Sequence, residues 1–156
     1  MLNVQIDTEP EKRVAVVSHR GPYDTVTEAF DRLNKLTEGS RLLDTPVAAL
    51  VGIYYDDPKT TPPAELRSAA GIVVPPNVAL PPGLTEVRLA AGKYARTTHI
   101  GPYQELPRVW ARFKGAWLSE SGQRPGKGPT YERYWNTPMN AKPHELKTEL
   151  FIPLAG

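Results

Sequence analysis

The chain has 156 residues, a formal net charge of +2 and no cysteine. This length fits one domain, and the lack of thiols excludes disulfides and metal sites built on cysteine. No apolar stretch approaches the roughly 20 residues that a membrane span needs, and the first residues lack the basic segment and apolar run of a signal peptide. We therefore expect a soluble, cytoplasmic protein with no membrane partner.

The charge is divided unevenly along the chain. Residues 1–80 hold 8 Lys/Arg against 11 Asp/Glu, a net −3, whereas residues 81–156 hold 11 against 6, a net +5. A basic second half favours an anionic partner, although ordinary surface variation produces the same asymmetry. Because the chain lacks the basic stripe of a nucleic-acid-binding domain, we expect no direct contact with nucleic acid.

In chain order, the first half predicts two strands, a helix and two further strands. The strands are expected at residues 4–8, 13–18, 48–55 and 66–74. The helix begins at Pro22, whose fixed φ suits a first turn, and ends near Gly39. Its apolar residues recur at helical spacing along one face: Val26, Ala29, Phe30, Leu33 and Leu36.

A short motif then occurs for the second time. His19-Arg20-Gly21-Pro22-Tyr23 recurs after an offset of 80 as His99-Ile100-Gly101-Pro102-Tyr103. The same offset relates further residues without a gap: Tyr54 and Tyr134, Pro58 and Pro138, Glu65-Leu66-Arg67 and Glu145-Leu146-Lys147, and Ile72 and Ile152. The spacing predicts one domain, residues 1–156, made of two pseudo-repeats at approximately 1–80 and 81–156.

The second half predicts the same elements again. Strands are expected at residues 84–88, 93–98, 130–135 and 146–154, and a helix runs from Pro102 to near Gly122. Its apolar face comprises Leu106, Val109, Trp110, Phe113 and Ala116. The fold class is therefore α+β, a tandem duplication of a strand-strand-helix-strand-strand unit. We expect two antiparallel sheets with one helix each, and a cleft between the halves that suits a small molecule.

One glutamate distinguishes the second repeat from the first. Glu132 lies in a predicted strand, and its counterpart at the offset of 80 is Gly52. On a strand, Glu132 and Tyr134 share a face, and a buried carboxylate is costly unless it is paired or used. Two interpretations stay open: an exposed or salt-bridged glutamate, or a carboxylate on the floor of an aromatic pocket that attracts cations. In the second case the walls are Tyr54, Tyr134, Tyr94 and Trp117.

Other patterns are assigned structural roles. His19 and His99 lack convergent metal ligands and are expected to stabilise turns before the helices. Residues 122–128 resemble a phosphate-binding loop but lack its glycine spacing and its Ser/Thr, so we expect a flexible basic loop. The sequence contains no G-x-S-x-G, cysteine nucleophile or H-E-x-x-H, and we expect neither a metal nor a cofactor.

Several segments together resemble a known family. They are Tyr54-Tyr55-Asp56-Asp57-Pro58, Thr61-Pro62, Glu65-Leu66-Arg67, Gly92-Lys93-Tyr94 and Tyr131-Glu132-Arg133-Tyr134. In order, over nearly the whole chain, they are similar to the GyrI-like small-molecule-binding domains, which include the effector-binding domains of AraC-type and Rob-like regulators. The resemblance is strongest to the standalone DNA gyrase inhibitor proteins.

This resemblance implies two fused SHS2-type modules and a ligand cleft. It also implies that Glu132 matches the family's pocket glutamate, which contacts cationic or hydrophobic ligands. Arg133 and Trp135 depart from the pattern, because plainer apolar residues are expected there to pack under a helix.

Three functions remain open. The first is a monomeric protein that binds small lipophilic, cationic or aromatic compounds and, as the resemblance implies, modulates DNA gyrase or protects against toxins. The second is a hydrolase of cyclopropane-bearing alkylating compounds, as in some relatives, with Glu132 as general base. The third is a protein-interaction module that acts on gyrase through its surface. We favour the first, without catalytic residues, because two aligned groups do not make a catalytic constellation.

Overall fold

A computed structural model describes residues 2–156. Its strands are antiparallel and its helices few, which confirms the predicted α+β class. In this part of the chain, no helix has the length and apolar character needed to cross a bilayer. The chain divides into two compact units, Pro10–Ala90 and a second that joins the N-terminal strand to Ala91–Gly156. The division into two separate sheets with a cleft stays a prediction.

The N-terminal strand, β1 (Val4–Glu9), belongs to the second unit. The first unit, Pro10–Ala90, contains β2 (Lys12–Arg20), α1 (Thr27–Leu36), β3 (Leu50–Tyr54), β4 (Arg67–Val74) and β5 (Thr85–Leu89). Its strands are hydrogen bonded in the order β3-β4-β2-β5. A 3₁₀ turn at Tyr23–Thr25 separates Pro22 from α1, so the helix begins later than predicted.

Helix α1 packs on the unit's strands through the predicted apolar stripe. Val26, Ala29 and Leu33 are buried in one cluster with strand residues such as Ala70 and Ile72. Phe30 and Leu36 pack against the same cluster. The 3.6-residue periodicity of the sequence therefore identified the buried face of this helix correctly.

The second unit contains β1 together with β6 (Gly92–Ile100), β7 (Thr130–Tyr134) and β8 (Lys147–Pro153). These strands are hydrogen bonded in the order β1-β6-β8-β7. Its helical segment comprises α2 (Leu106–Arg112), a π-helical turn (Phe113–Trp117) and α3 (Leu118–Ser121). Gly122 follows with a left-handed φ of 75°, as predicted for the end of this helix.

The first strand of each repeat pairs outside its own repeat. β1 lies beside β6, with Ile6 opposite Ala95, and β5 lies beside β2, with Val87 opposite Val14. The sequence places β1 in the first repeat but did not predict its partner, and the structure pairs it with a strand of the second repeat. The physical reason is turn chemistry: two-residue hairpins need a residue with positive φ. Neither Pro10-Glu11 nor Ala90-Ala91 supplies one.

The π-helical turn shifts the buried face of the second helix. Leu106, Val109 and Phe113 are buried as predicted, but Ala116 is exposed and Trp117 packs against the core instead. A π turn holds one more residue than an α turn, so every later side chain advances by one position. The prediction of Ala116 as a core residue was wrong for this reason.

The glycine-rich segment after α3 is tied to the end of β8. Pro125 forms a β-bridge with Leu154. The amide of Gly126 donates to the carbonyl of Pro153 at 2.7 Å, and the amide of Ala155 donates to the carbonyl of Arg124 at 2.8 Å. This segment is therefore a bonded edge rather than the flexible loop expected from its glycines.

Candidate functional site

Glu132 occupies the middle of β7 on the face that α2 covers. It lies opposite Leu150 of β8, and opposed residues of an antiparallel pair share a face. Leu150 belongs to the apolar cluster formed with the helix, and Glu132 itself is only 4% exposed. A carboxylate this deeply buried requires hydrogen-bond donors, which excludes the interpretation of a simply exposed glutamate.

Two aromatic side chains supply those donors. The indole Nε1 of Trp110 on α2 donates to Glu132 Oε2 at 2.5 Å. The hydroxyl of Tyr134, two residues along β7 on the same face, donates to Oε1 at 2.6 Å. The hydroxyl distance is in the short range of charge-assisted O–H···O⁻ hydrogen bonds. Each carboxylate oxygen therefore has an aromatic donor that fixes its orientation.

Further aromatic rings surround this arrangement. Tyr103 meets Tyr134 edge to face with ring centroids 5.7 Å apart, and Trp110 stacks on Phe113 at 5.9 Å. Burial, and secondarily the Glu132 carboxylate, raise the pKa of Tyr103 above its ordinary value. Lys114 Nζ lies 5.3 Å from the centroid of the Trp110 ring, so a cation already contacts this aromatic group.

The structure brings only some of the predicted site residues together. Tyr134 contacts Glu132 directly. Trp117 meets Phe113 edge to face at 5.4 Å and belongs to the apolar core, where it approaches the site through Phe113 rather than by its own hydrogen bond.

Tyr94 lies on the opposite face of the second unit's strands. It packs edge to face on Tyr131 and Phe151, at 5.9 and 6.4 Å. Tyr131 and Glu132 are neighbours on one strand, and successive side chains of a strand point to opposite faces. Burial raises the pKa of Tyr94. Tyr94 is therefore not a wall on the Glu132 side.

Tyr54 lies at the end of β3 in the first unit. It meets Tyr23 edge to face at 4.9 Å, as Tyr134 meets Tyr103 in the second unit. The two Tyr pairs are related by the offset of 80. A role of Tyr54 in ligand contact stays a prediction.

Sequence analysis missed Trp110 as a site residue, because its position on the apolar stripe indicated only a core side chain. A signal was nevertheless present in the comparison of the repeats. The counterparts of Trp110 and Glu132 are Phe30 and Gly52. The donor and the acceptor are thus both present in one repeat and both absent from the other, as expected of residues in contact.

The histidines of the repeated motif have the structural role expected of them. His19 Nε2 lies 2.9 Å from Thr25 Oγ1, and His99 Nε2 lies 2.9 Å from Glu105 Oε1. Each contact closes the turn before a helix. Over residues 2–156, no group of three His, Asp or Glu side chains is placed to hold a metal ion.

Comparison with known protein families covers nearly the whole chain. The model of the GyrI-like small molecule binding domain matches residues 2–155. The chain belongs to this GyrI-like family.

Curated relatives extend over the whole chain. A DNA gyrase inhibitor of Erwinia billingiae (strain Eb661) is 30% identical and aligns over 99% of this chain and 98% of its own length. A probable transcriptional regulator of Escherichia coli (strain K12), YgiV, is 27% identical over 99% of this chain and 97% of its own.

Solved GyrI-like folds superpose on the chain at low sequence identity. The EcmrR C-terminal domain has a TM-score of 0.82 at 17% identity, covering 99% of this chain and 98% of its own. SAV2435, solved bound to tetraphenylphosphonium, has a TM-score of 0.71 at 12% identity, covering 99% and 95%. A hydrolase from Listeria innocua has a TM-score of 0.66 at 19% identity, covering 97% and 91%. These likenesses establish the fold.

Proposed function

We propose that this GyrI-like protein binds small lipophilic cations beside Glu132. The observation that carries the proposal is a carboxylate only 4% exposed whose two oxygens each accept a hydrogen bond from an aromatic side chain. Its charge is thereby fixed in position in an apolar setting, where electrostatic attraction is stronger than in water.

The surrounding rings define the class of ligand. Aromatic faces attract cations by about 0.5–2 kcal/mol each, and Trp110, Tyr134 and Tyr103 all lie within contact of one another or of the carboxylate. A large cation with delocalised charge loses little hydration on entering such a site. The complex of SAV2435 with tetraphenylphosphonium supports this choice, because that protein has the same fold.

The proposal includes the finer features that the sequence predicts. The chain is a tandem of two SHS2-type modules, it acts as a monomer, and Tyr54 contributes to ligand contact. The name of the Erwinia relative supports modulation of DNA gyrase as the cellular consequence. Unchanged supercoiling by gyrase at micromolar protein would contradict that part.

Hydrolysis is the second candidate, and the solved hydrolase of this fold supports it. We favour binding instead, because a carboxylate with two aromatic donors does not make a catalytic constellation. Turnover of a cyclopropane-bearing alkylating compound that falls by about 100-fold or more in Glu132→Gln would reverse this preference.

The binding proposal is tested by calorimetric titration with tetraphenylphosphonium and with neutral triphenylphosphine oxide. Glu132→Gln keeps the shape of the side chain and removes its charge, so we expect cation affinity to fall by about tenfold or more while affinity for the neutral compound changes little. Glu149→Gln is the matched control, because Glu149 is also buried and bonded to an indole, on the other face. Equal losses in both variants, or no loss in Glu132→Gln, contradict the proposal.

A further inference from the structure

Trp135 is a large exposed side chain that the structure holds in one orientation. It follows β7 and is 48% exposed. Its indole Nε1 donates to Glu149 Oε1 at 2.8 Å, and Glu149, itself 6% exposed, accepts from Arg96 Nη1 through its other oxygen at 3.1 Å. An aromatic group whose conformation is already fixed loses little entropy when a partner packs on it.

Two cations flank the Trp135 ring. Arg133 Cζ lies 3.7 Å from the ring centroid, and Lys147 Nζ lies 4.9 Å from it. Within residues 2–156, neither Arg133 nor Lys147 forms a salt bridge. The nearby carboxylate, Glu149, is bonded to Arg96 and Trp135 instead. Ile100, 58% exposed, lies opposite Lys147 on the same face. We call Ile100, Arg133, Trp135 and Lys147 the Trp135 patch.

The departures that the sequence showed at Arg133 and Trp135 thus have a structural explanation. The two residues alternate with Glu132 and Tyr134 along the strand, so they lie on the face away from α2. The expectation that these two positions face the helix, and so call for apolar residues, was wrong. Their side chains leave the packing beneath the helix unaffected and are available for another role.

Comparison of the repeats shows that the fold itself does not require this patch. The counterparts of Trp135 and Lys147 are Tyr55 and Arg67, and Arg67 Cζ lies 5.7 Å from the Tyr55 ring. There, however, the cation is neutralised by Asp56, with contacts of 2.8 and 3.1 Å. The counterpart of Asp56 is the uncharged Asn136, whose side chain accepts the backbone amide of Lys147 and brings no charge to its ammonium group. The excess positive charge belongs to the second repeat alone.

We propose that the Trp135 patch is a docking surface for an acidic protein segment that carries an apolar side chain. Trp and Arg are the residues that most often dominate protein interfaces, and the unneutralised Arg133 and Lys147 complement carboxylates. A nucleic acid fits less well, because sequence-independent strand binding uses a long basic groove with several stacking rings. The patch has one such ring, and the chain carries a net charge of only +2.

The test uses the full chain and a short synthetic peptide of glutamates around a central phenylalanine. The protein has three tryptophans, so its indole N–H resonances separate three positions. We expect the peptide to shift the Trp135 resonance and to leave those of Trp110 and Trp117 in place. Binding weakens as salt rises, as for an electrostatic surface contact.

The variant Arg133→Gln/Lys147→Gln removes two charges from the patch and keeps the indole bond to Glu149. We expect peptide affinity to fall by about tenfold or more, with tetraphenylphosphonium affinity unchanged. Arg108→Gln/Arg112→Gln is the matched control, since it removes the same charge from exposed positions of α2. Unmoved Trp110 and Trp117 resonances report that each variant is folded.

Three outcomes overturn the proposal. The first is that the Trp135 resonance does not respond to the peptide. The second is that the two double variants bind the peptide equally well. The third is that single-stranded oligothymidylate binds the patch more tightly than the peptide, which assigns the surface to nucleic acid.

Discussion

Trp110 and Glu132 form a pair that only one repeat contains. The equivalent residues of the other repeat, Phe30 and Gly52, have no polar side-chain atoms. The fold is therefore built with or without this hydrogen bond, and the second repeat carries a buried charge for a reason other than packing. A buried carboxylate that loses a donor keeps its full cost of desolvation.

Replacement of Trp110 by the residue of the other repeat measures this dependence. Trp110→Phe leaves Glu132 with the Tyr134 donor, and we expect the free energy of unfolding to fall by about 1–3 kcal/mol in urea denaturation. In a double-mutant cycle with Glu132→Gln, the two losses are expected to be non-additive by about 1 kcal/mol. Trp117→Phe is the control, because that indole contacts Phe113. Additive losses would show that the two side chains are not coupled.

The sequence predicted part of this site. Alternation along a strand placed Glu132 and Tyr134 on one face, and the structure confirms it. It did not predict Trp110, because apolar periodicity gives the buried face of a helix but not the partner of an indole N–H. Tyr94 was selected for its aromatic ring, and no local pattern reveals on which face of the sheet its strand presents that ring.

Among the elements, the junction of β3 and β4 differs most informatively between the repeats. Asp56 accepts hydrogen bonds from the Arg67 backbone amide at 2.8 Å and from the Arg67 guanidinium. In the other repeat the Asn136 side chain accepts the backbone amide of Lys147 and donates to the carbonyl of Glu145, without a charged contact to Lys147. The hydrogen bond from the backbone amide is thus common to both junctions, whereas the ion pair between the two side chains occurs only in the first.

This difference predicts a pH effect. The Arg67 hydrogen bonds lower the pKa of Asp56, so this contact stabilises the fold above the unfolded pKa of about 4 and loses its effect as the pH falls through the lower folded value. Asp56→Asn introduces the side chain that the second repeat has at Asn136. This variant is expected to have a lower free energy of unfolding than wild type at pH 7, and the difference disappears below about pH 4. Denaturant titrations of both proteins at a series of pH values measure this difference. A difference that stays constant down to low pH would mean that the charge of Asp56 does not cause it.

The helices show which sequence signals are reliable. The stripe on α1 was predicted completely, whereas the stripe on the second helix was correct until Phe113 and wrong at Ala116. The difference is the π turn at Phe113–Trp117. A π turn holds an extra residue, so a fixed 3.6-residue period does not follow the buried face beyond it.

At the scale of the whole molecule, the offset of 80 predicted the order of the elements along the chain better than it predicted which strands pair with each other. β2 and β6 begin at Lys12 and Gly92, and β3 and β7 at Leu50 and Thr130, in register with the repeat. The pairing of the first strand of each repeat was not predicted, because a repeat in sequence does not state which partner a strand takes.

Removal of residues 2–9 tests the pairing directly. β6 loses one neighbour, whereas β2 keeps β4 and β5. We expect amide hydrogen exchange in β6 to accelerate by about tenfold or more, while exchange in β2 stays close to that of the intact chain. Faster exchange in β2 with an unchanged β6 would instead place β1 beside β2.

The crossed membership of β1 and β5 bears on how such a chain arises. Consider a single ancestral copy of some 80 residues whose first strand does not pair within that copy. Its sheet would then lack an edge strand, which the first strand of a second copy would supply, and the exchange would be mutual. Such reciprocal exchange is a low-cost route to a homodimer. Gene fusion of that swapped pair would yield this topology directly, and would then free one copy to acquire Trp110, Glu132 and Trp135 while the other kept Phe30, Gly52 and Tyr55.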